Sequence, residues 1–175
     1  MIPLILGTLV LGGVGVWIVS SRGEKKPVYR GEEKVPEVTQ EKEEGGEPMM
    51  ELSEKKILII IAPVNFRDEE FLEPKEVFES RGAEVMVASK GVSEATGSLG
   101  ATVSVDKDIS EVSTADFDGL VFVGGPGSAI YFGDSAARRL AQDAVSQGKV
   151  LGAICIAPSI LANAGVLEGK KATVF

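Results

Sequence analysis

The stretch from Lys149 to Gly165, K-V-L-G-A-I-C-I-A-P-S-I-L-A-N-A-G, holds the single cysteine of the 175-residue chain. An apolar run that reads as a buried strand reaches Cys155, passes a proline and continues as a short apolar helix closed by Gly165. A turn that sharp crowds the backbone against side chains two positions to either side, which is why the serine version of this elbow carries glycines there. Ala153 and Ala157 occupy those places, and both are small. The thiol would then stand at the top of a sheet above a helix N-terminus. Unpaired N–H groups and the helix dipole would favour its thiolate. The competing role for Cys155 is packing, since a lone cysteine among apolar neighbours is usually just buried.

A second candidate is Gly124-Gly125-Pro126-Gly127-Ser128, a glycine-rich loop that follows an apolar run. It fits neither the dinucleotide pattern nor the phosphate-binding loop. Two roles remain open: a tight turn, or a place where backbone N–H groups approach a reacting oxyanion closely.

Composition removes other chemistry. The chain has no histidine, which excludes Ser-His and Cys-His catalysis within it and, with one cysteine, any soft-ligand zinc site. Its formal charge of −8, without a basic cluster in the part expected to fold, argues against nucleic acid as a partner. One cysteine allows no internal disulfide, which suits a reducing compartment.

These residues need a scaffold. Residues 56–62, K-I-L-I-I-I-A, form the β-branched run of a strand covered on both faces. The segment N-F-R-D-E-E-F-L-E-P-K-E-V-F-E-S-R-G places Phe71, Leu72, Val77 and Phe78 at helical spacing, with Gly82 as the stop. A-E-V-M-V-A-S is the next strand, giving a β-α-β unit with parallel strands. Gly97 to Val105 alternates polar and apolar residues and is expected as a strand or hairpin arm added to the main sheet. F-D-G-L-V-F-V is the strand before the glycine loop. Ala136 to Gln147 is expected as a helix burying Leu140, Ala141, Ala144 and Val145, and Lys171 to Phe175 as the opening of another strand.

Ahead of this domain, Ile2 to Val19 is uncharged and nearly all apolar, at about 18 residues long enough for a membrane-spanning helix. Gly7, Gly12, Gly13 and Gly15 would weaken a helix in water but are tolerated in lipid. A cleaved secretory signal fits less well, as no basic residue precedes the run and no A-x-A site follows it. Arg22, Lys25, Lys26 and Arg30 come next, and positive flanks stay cytoplasmic. The expected order is a transmembrane anchor over 1–21, a disordered charged linker over 22–55 and a folded domain over 56–175. A linker of some thirty residues would span on the order of 30 Å.

Three motifs in order, N-F-R-D-E-E-F-L-E-P, F-D-G-L-V-F-V-G-G and G-A-I-C-I-A-P-S-I-L-A-N-A-G-V-L-E-G-K-K-A-T, resemble the PfpI intracellular-protease and parkinsonism-associated deglycase superfamily, which is related to class I glutamine amidotransferases. The resemblance implies a flavodoxin-like three-layer α/β/α sandwich with a mainly parallel sheet and the nucleophile elbow at Cys155. It implies that Glu70, four residues before Pro74, is the carboxylic acid that hydrogen-bonds the cysteine sulfur. It also implies that the N–H groups of Gly125 and Ile156 flank the sulfur as oxyanion donors. A bland role for Glu70 is to join Asp68 and Glu69 at a helix N-terminus, where acids are favourable.

The chain departs from the protease branch. Ile156 stands where the proteases carry histidine after the cysteine, and S-A-I-Y-F-G-D after the glycines lacks their acidic residue. The deglycase-like branch, which manages with Cys and Glu alone, fits better. Members of the family also continue past the strand expected at Lys171 to Phe175, so the domain is expected to be incomplete at its C-terminus.

The resulting expectation is a membrane-tethered, cytoplasm-facing enzyme of stress response. Its Cys155 thiolate would attack a reactive carbonyl, such as a 2-oxoaldehyde or its adduct on a protein side chain. Glu70 would shuttle a proton, and neither metal nor organic cofactor would be needed. The alternative is a redox sensor or stress-response binding module in which Cys155 is oxidised to sulfenate or sulfinate. Pairing with a second copy is expected in either case.

Overall fold

The computed structural model describes residues 10–11, 14–19 and 51–174. The expected linker lies outside the described residues except for 51–55, as does most of the segment before it. The described elements begin with strands β1 (Val10–Leu11) and β2 (Val14–Val19). There follow β3 (Lys56–Ile60), β4 (Val64–Phe66), α1 (Asp68–Ser80), β5 (Glu84–Ser89), β6 (Glu94–Gly97), β7 (Thr102–Ser104) and β8 (Lys107–Asp108). The last are β9 (Gly119–Phe122), α2 (Ser135–Ser146), β10 (Val150–Ile154) and α3 (Pro158–Asn163).

The main sheet runs β1-β2-β10-β9-β3-β5-β8, and from β10 to β8 every pairing is parallel. Among the longer parallel strands, β5, β3, β9 and β10 lie in the doubly wound, flavodoxin-like order, with the direction of winding reversing between β3 and β9. The sequence explains why these strands are central. Leu58, Ile59, Ile60, Leu120, Phe122 and Leu151 are fully buried, as a strand covered on both faces requires. Helix α1 packs on β3 and β5, and α2 and α3 pack against each other and on β10. Leu140, Ala141 and Ala144 of α2 are buried as their spacing demands, while Val145 is partly buried against the core.

Four expectations are corrected. Helix α1 starts at Asp68; ahead of it, β4 keeps Val64–Phe66 extended, with Asn65 at φ 57°. Phe66 and Phe71, both fully buried, meet edge to face with ring centroids 5.6 Å apart. They sit on either side of the helix start as a hydrophobic staple, which sets the angle at which the chain enters α1. Leu72, assigned to the apolar face of α1, is exposed at 47%.

The β6–β7 hairpin does not extend the main sheet but joins β4 in a separate three-stranded sheet, order β4-β6-β7. Residues 171–174 are exposed and not in a strand, having no ladder partner among the described residues. Of the apolar N-terminal run, read above as a transmembrane anchor, residues 10–11 and 14–19 are among those described, and there the chain is extended, with β2 antiparallel to β10 and Val16 opposite Ile154. Valine, tryptophan and isoleucine suit a strand as well as a lipid-facing helix, and an apolar run alone does not separate the two. No helix among the described residues is long and apolar enough to cross a membrane.

Candidate active site

Three strand ends converge at the carboxyl edge of the sheet, next to the point where the winding reverses and where open α/β sheets place their ligands. Strand β10 ends at Ile154, and Cys155 turns the chain with φ 59° before α3 begins at Pro158. A non-glycine residue in the left-handed region costs on the order of 1–3 kcal/mol and persists only when its surroundings hold it. Here Ala153 and Ala157 are buried to 1% and 0% exposure, and the Ala157 N–H donates to the Ile154 carbonyl at 3.0 Å. Larger side chains at either place would not fit this turn. The thiol itself is only partly buried.

From β3 the chain passes through β4 into α1, whose third residue is Glu70, 8% exposed. Its carboxyl group faces the Cys155 sulfur, and its Oε2 accepts the Gly124 N–H at 3.1 Å. The N–H groups of Gly125 and Ile156 face the same sulfur and favour its charged form. The structure thus brings together Cys155, Glu70, Gly125 and Ile156, the four residues singled out from the sequence.

The loop after β9 both turns the chain and lines the site. A Cβ on Gly124 would lie 2.6 Å from the Cβ of Cys155 and from Glu70 Oε2, so any side chain there would part the pair. Gly125 adopts φ 86°, and a Cβ on it would strike the Arg67 amide nitrogen at 2.4 Å. The turn is held by the Ser128 hydroxyl donating to the Gly125 carbonyl at 2.9 Å and by the Arg67 N–H donating to the Gly124 carbonyl at 3.2 Å.

The electrostatics reverse one expectation. The Cys155 thiol lies above the ordinary thiol range, first because of burial and then because of the charge and hydrogen bond of Glu70; the N–H groups of Gly125 and Ile156 oppose this. Helix α3, at six residues, adds too little dipole to make a resting thiolate. Burial also pushes Glu70 above the usual carboxylate range, against the pull of Cys155, the Gly124 N–H and Arg67. Both groups are thus held toward their protonated forms, and being in contact they titrate as a pair.

Asp68, two residues from Glu70, was legible only as one of three acids at a helix start. In the fold it is 5% exposed and accepts the N–H groups of Leu99 and Ala101, each at 2.8 Å. The available signal was Gly97 within an alternating strand, since glycine inside a strand marks close approach by another group.

An open, flavodoxin-like sheet with a cysteine elbow faced by a buried carboxyl group defines a class of cysteine-centred α/β proteins. The chain belongs to the DJ-1/PfpI family, whose sequence profile matches residues 55–175. It is 45% identical over 121 residues to an uncharacterized protein of Methanocaldococcus jannaschii, covering 69% of this chain but only 59% of that protein. It is 37% identical to protein/nucleic acid deglycase 2 of Escherichia coli, covering 68% of this chain and 70% of that protein. With Deglycase PfpI of Pyrococcus furiosus the identity is 36%, over 67% of this chain and 71% of the other. Among solved structures, the ThiJ/PfpI domain protein of Brachyspira murdochii superposes with a TM-score of 0.67 at 36% identity, covering 69% of each chain. The oxidized form of Toxoplasma gondii DJ-1 does so with a TM-score of 0.63 at 31% identity, covering 69% of this chain and 67% of that one.

Proposed function

We propose that this domain acts through Cys155 on small reactive carbonyl compounds, of the 2-oxoaldehyde kind, or on their adducts with protein side chains. The observation that carries this is the buried Glu70 carboxyl group set beside the Cys155 side chain, the two so close across Gly124 that a Cβ there would lie 2.6 Å from each. A carboxyl group placed in this way can take a proton from the sulfur and return it. As sulfur adds to the aldehyde carbon, Glu70 takes the thiol proton and returns it to the new oxyanion beside the N–H groups of Gly125 and Ile156. The product is a hemithioacetal. Glu70 then moves a proton from that carbon to its neighbour through an enediol, leaving a thioester of a 2-hydroxy acid. Water cleaves the thioester and restores the thiol. The sum is one aldehyde and one water to one hydroxy acid, with no external oxidant or reductant.

The names of relatives in Escherichia coli and Pyrococcus furiosus support a deglycase-like role. The absence of histidine from the chain, with Ile156 after the cysteine, weighs against proteolysis. The full chain in detergent micelles should consume methylglyoxal and release lactate. Cys155→Ser and Glu70→Gln should each lower that rate at least a hundredfold while keeping a cooperative melt. Wild-type protein without turnover would overturn the proposal.

Redox sensing is the second possibility, favoured by the partly exposed thiol with two N–H donors and a carboxyl group around its sulfur. Mild peroxide should then add one or two oxygen atoms at Cys155 by mass, without any carbonyl turnover.

The same proposal includes attachment to a membrane through residues 2–19, the domain facing the cytoplasm, and pairing with a second copy. Its support is the uncharged apolar run followed by Arg22, Lys25, Lys26 and Arg30. The antiparallel placement of β2 beside β10 is the competing arrangement for Val14–Val19, and the two exclude each other.

A further inference from the structure

Asp68 is a buried carboxylate that touches neither the sulfur nor the sites proposed for the oxyanion. Its two oxygens are both used on the turn of the β6–β7 hairpin, Oδ2 accepting the Leu99 N–H and Oδ1 the Ala101 N–H. The fit is close: a Cβ on Gly97 would lie 2.4 Å from Asp68 Oδ1. The same turn is tied to the segment before α1 by the Ser98 N–H donating to the Phe66 carbonyl at 2.8 Å. That segment is tied in turn to the glycine loop by the Arg67 N–H on the Gly124 carbonyl, and the Gly124 N–H reaches Glu70. The hairpin, the start of α1 and the glycine loop therefore form one connected set of hydrogen bonds, with Asp68 at one end and the Glu70–Cys155 contact at the other.

We infer that Asp68 is a positioning residue: by clamping the hairpin turn to the first turn of α1, it holds the Glu70 carboxyl against the Cys155 sulfur. Glu70 is the third residue of the helix, so a small rotation of the first turn carries its carboxyl group off the sulfur. The staple of Phe66 and Phe71 sets the entry angle of the helix but leaves it free to rock about the aromatic contact. The clamp removes that freedom. Its effect on turnover rests on the carbonyl reaction proposed above, whereas its effect on the thiol rests on where Glu70 is held and on the charge it brings to the sulfur.

The test is the rate at which iodoacetamide alkylates the full chain, followed by mass from pH 5 to 10; Cys155 is the only thiol, so the signal is unambiguous. The charged groups acting on the pair are Glu70 on the sulfur, and Arg67 and Glu69 on Glu70. Asp68→Asn turns one acceptor into a donor that opposes a backbone N–H. With Glu70 displaced, its upward effect on the thiol is lost. Alkylation at pH 7 should rise about threefold or more, towards the rate of Glu70→Gln. Turnover of methylglyoxal should fall about tenfold with little change in KM.

Gly97→Ala, which presses on the same carboxylate from the hairpin side, should shift the alkylation profile in the same direction and decides the matter if Asp68→Asn does not melt cooperatively. Leu140→Ala, a core truncation in α2, should lower the melting temperature and leave the alkylation profile where it is. A folded Asp68→Asn or Gly97→Ala protein with the wild-type profile overturns the inference. Accelerated alkylation in a protein whose wild type shows no turnover keeps the clamp and removes the carbonyl reaction; turnover with an unshifted profile does the reverse.

Discussion

At the scale of single residues, Glu70 trades stability for chemistry. Its proton affinity is raised in the folded state, chiefly by burial. An acid raised in this way stabilises the fold below its unfolded value of about 4.3 and loses that contribution as pH rises through the folded value. At pH 7 the buried charge therefore opposes folding. Glu70→Gln, which keeps an acceptor for the Gly124 N–H, should raise the melting temperature at pH 7 while abolishing turnover, and the gain should shrink as the pH approaches 4. A thermal melt series against pH checks the sign. The same substitution should speed alkylation of Cys155 at neutral pH, because Glu70 is one of the groups holding the thiol up. Gly124→Ala acts by volume: its methyl would overlap the Cys155 Cβ, Glu70 Oε2 and, at 2.8 Å, the Ile154 carbonyl. Overpacking of this kind costs about 1–3 kcal/mol, and the variant should melt earlier and lose turnover together.

At the scale of elements, the helix starts are anchored by different devices. Helix α1 has no side-chain cap and relies on the aromatic staple and on Asp68, whereas α2 is capped by Asp134, whose Oδ1 accepts the Ala136 and Ala137 N–H groups at 2.8 and 3.0 Å. Asp134 also pairs with Lys90, tying α2 to the end of β5. Asp134→Ala should cost about 1 kcal/mol through the lost cap, read as a lower denaturation midpoint with an unchanged slope. It should leave the alkylation profile of Cys155 alone, because α2 takes no part in the hydrogen bonds that lead to Glu70. The hairpin β6–β7 shows why alternation in a sequence does not say which sheet a strand joins. Period-two patterning orients side chains and leaves the partner strand open. The choice of β4 as partner was made by Asp68 and by the Thr96 N–H donating to the Pro63 carbonyl at 3.0 Å.

Taken whole, the domain is held by carboxylates whose folded-state proton affinity is lowered. Asp118 accepts the Lys56 N–H at 3.0 Å, Asp108 accepts from Ser110 and the Gly91 N–H, and Asp68 and Asp134 accept as already described. For Asp108 the bonds from Ser110 dominate, and for Asp118 the bond from Lys56; at Asp68 and Asp134 burial pushes upward but is outweighed by the hydrogen bonds and nearby cations. An acid lowered on folding stabilises above its unfolded value and loses that contribution as pH falls through the folded one. The melting temperature should accordingly hold from pH 7 to about 5 and drop steeply below about 4, with Glu70 opposing the trend. The N-terminal run belongs to this scale as well. If it is the proposed anchor, the full chain stays in the membrane pellet through carbonate extraction and a chain lacking residues 1–21 is released; extraction of the full chain would favour the strand beside β10.

The order of the core elements β3, α1, β5, β9, α2, β10 and α3, the elbow at Cys155 and the glycine loop were legible in the letters, because burial on both faces, small residues around a tight turn and stop glycines are local demands that each segment meets alone. Glu70 was legible only through likeness to a family, since nothing near it in the chain says that it faces sulfur. What tertiary structure alone decided was the state of the site. The raised proton affinities of Glu70 and Cys155 depend on burial and on contacts between residues 85 positions apart, and they replace an expected resting thiolate by a guarded thiol. Asp68 depends on a hairpin 30 residues downstream. Electrostatic fit is set by distance in space, and a one-dimensional pattern carries no record of it.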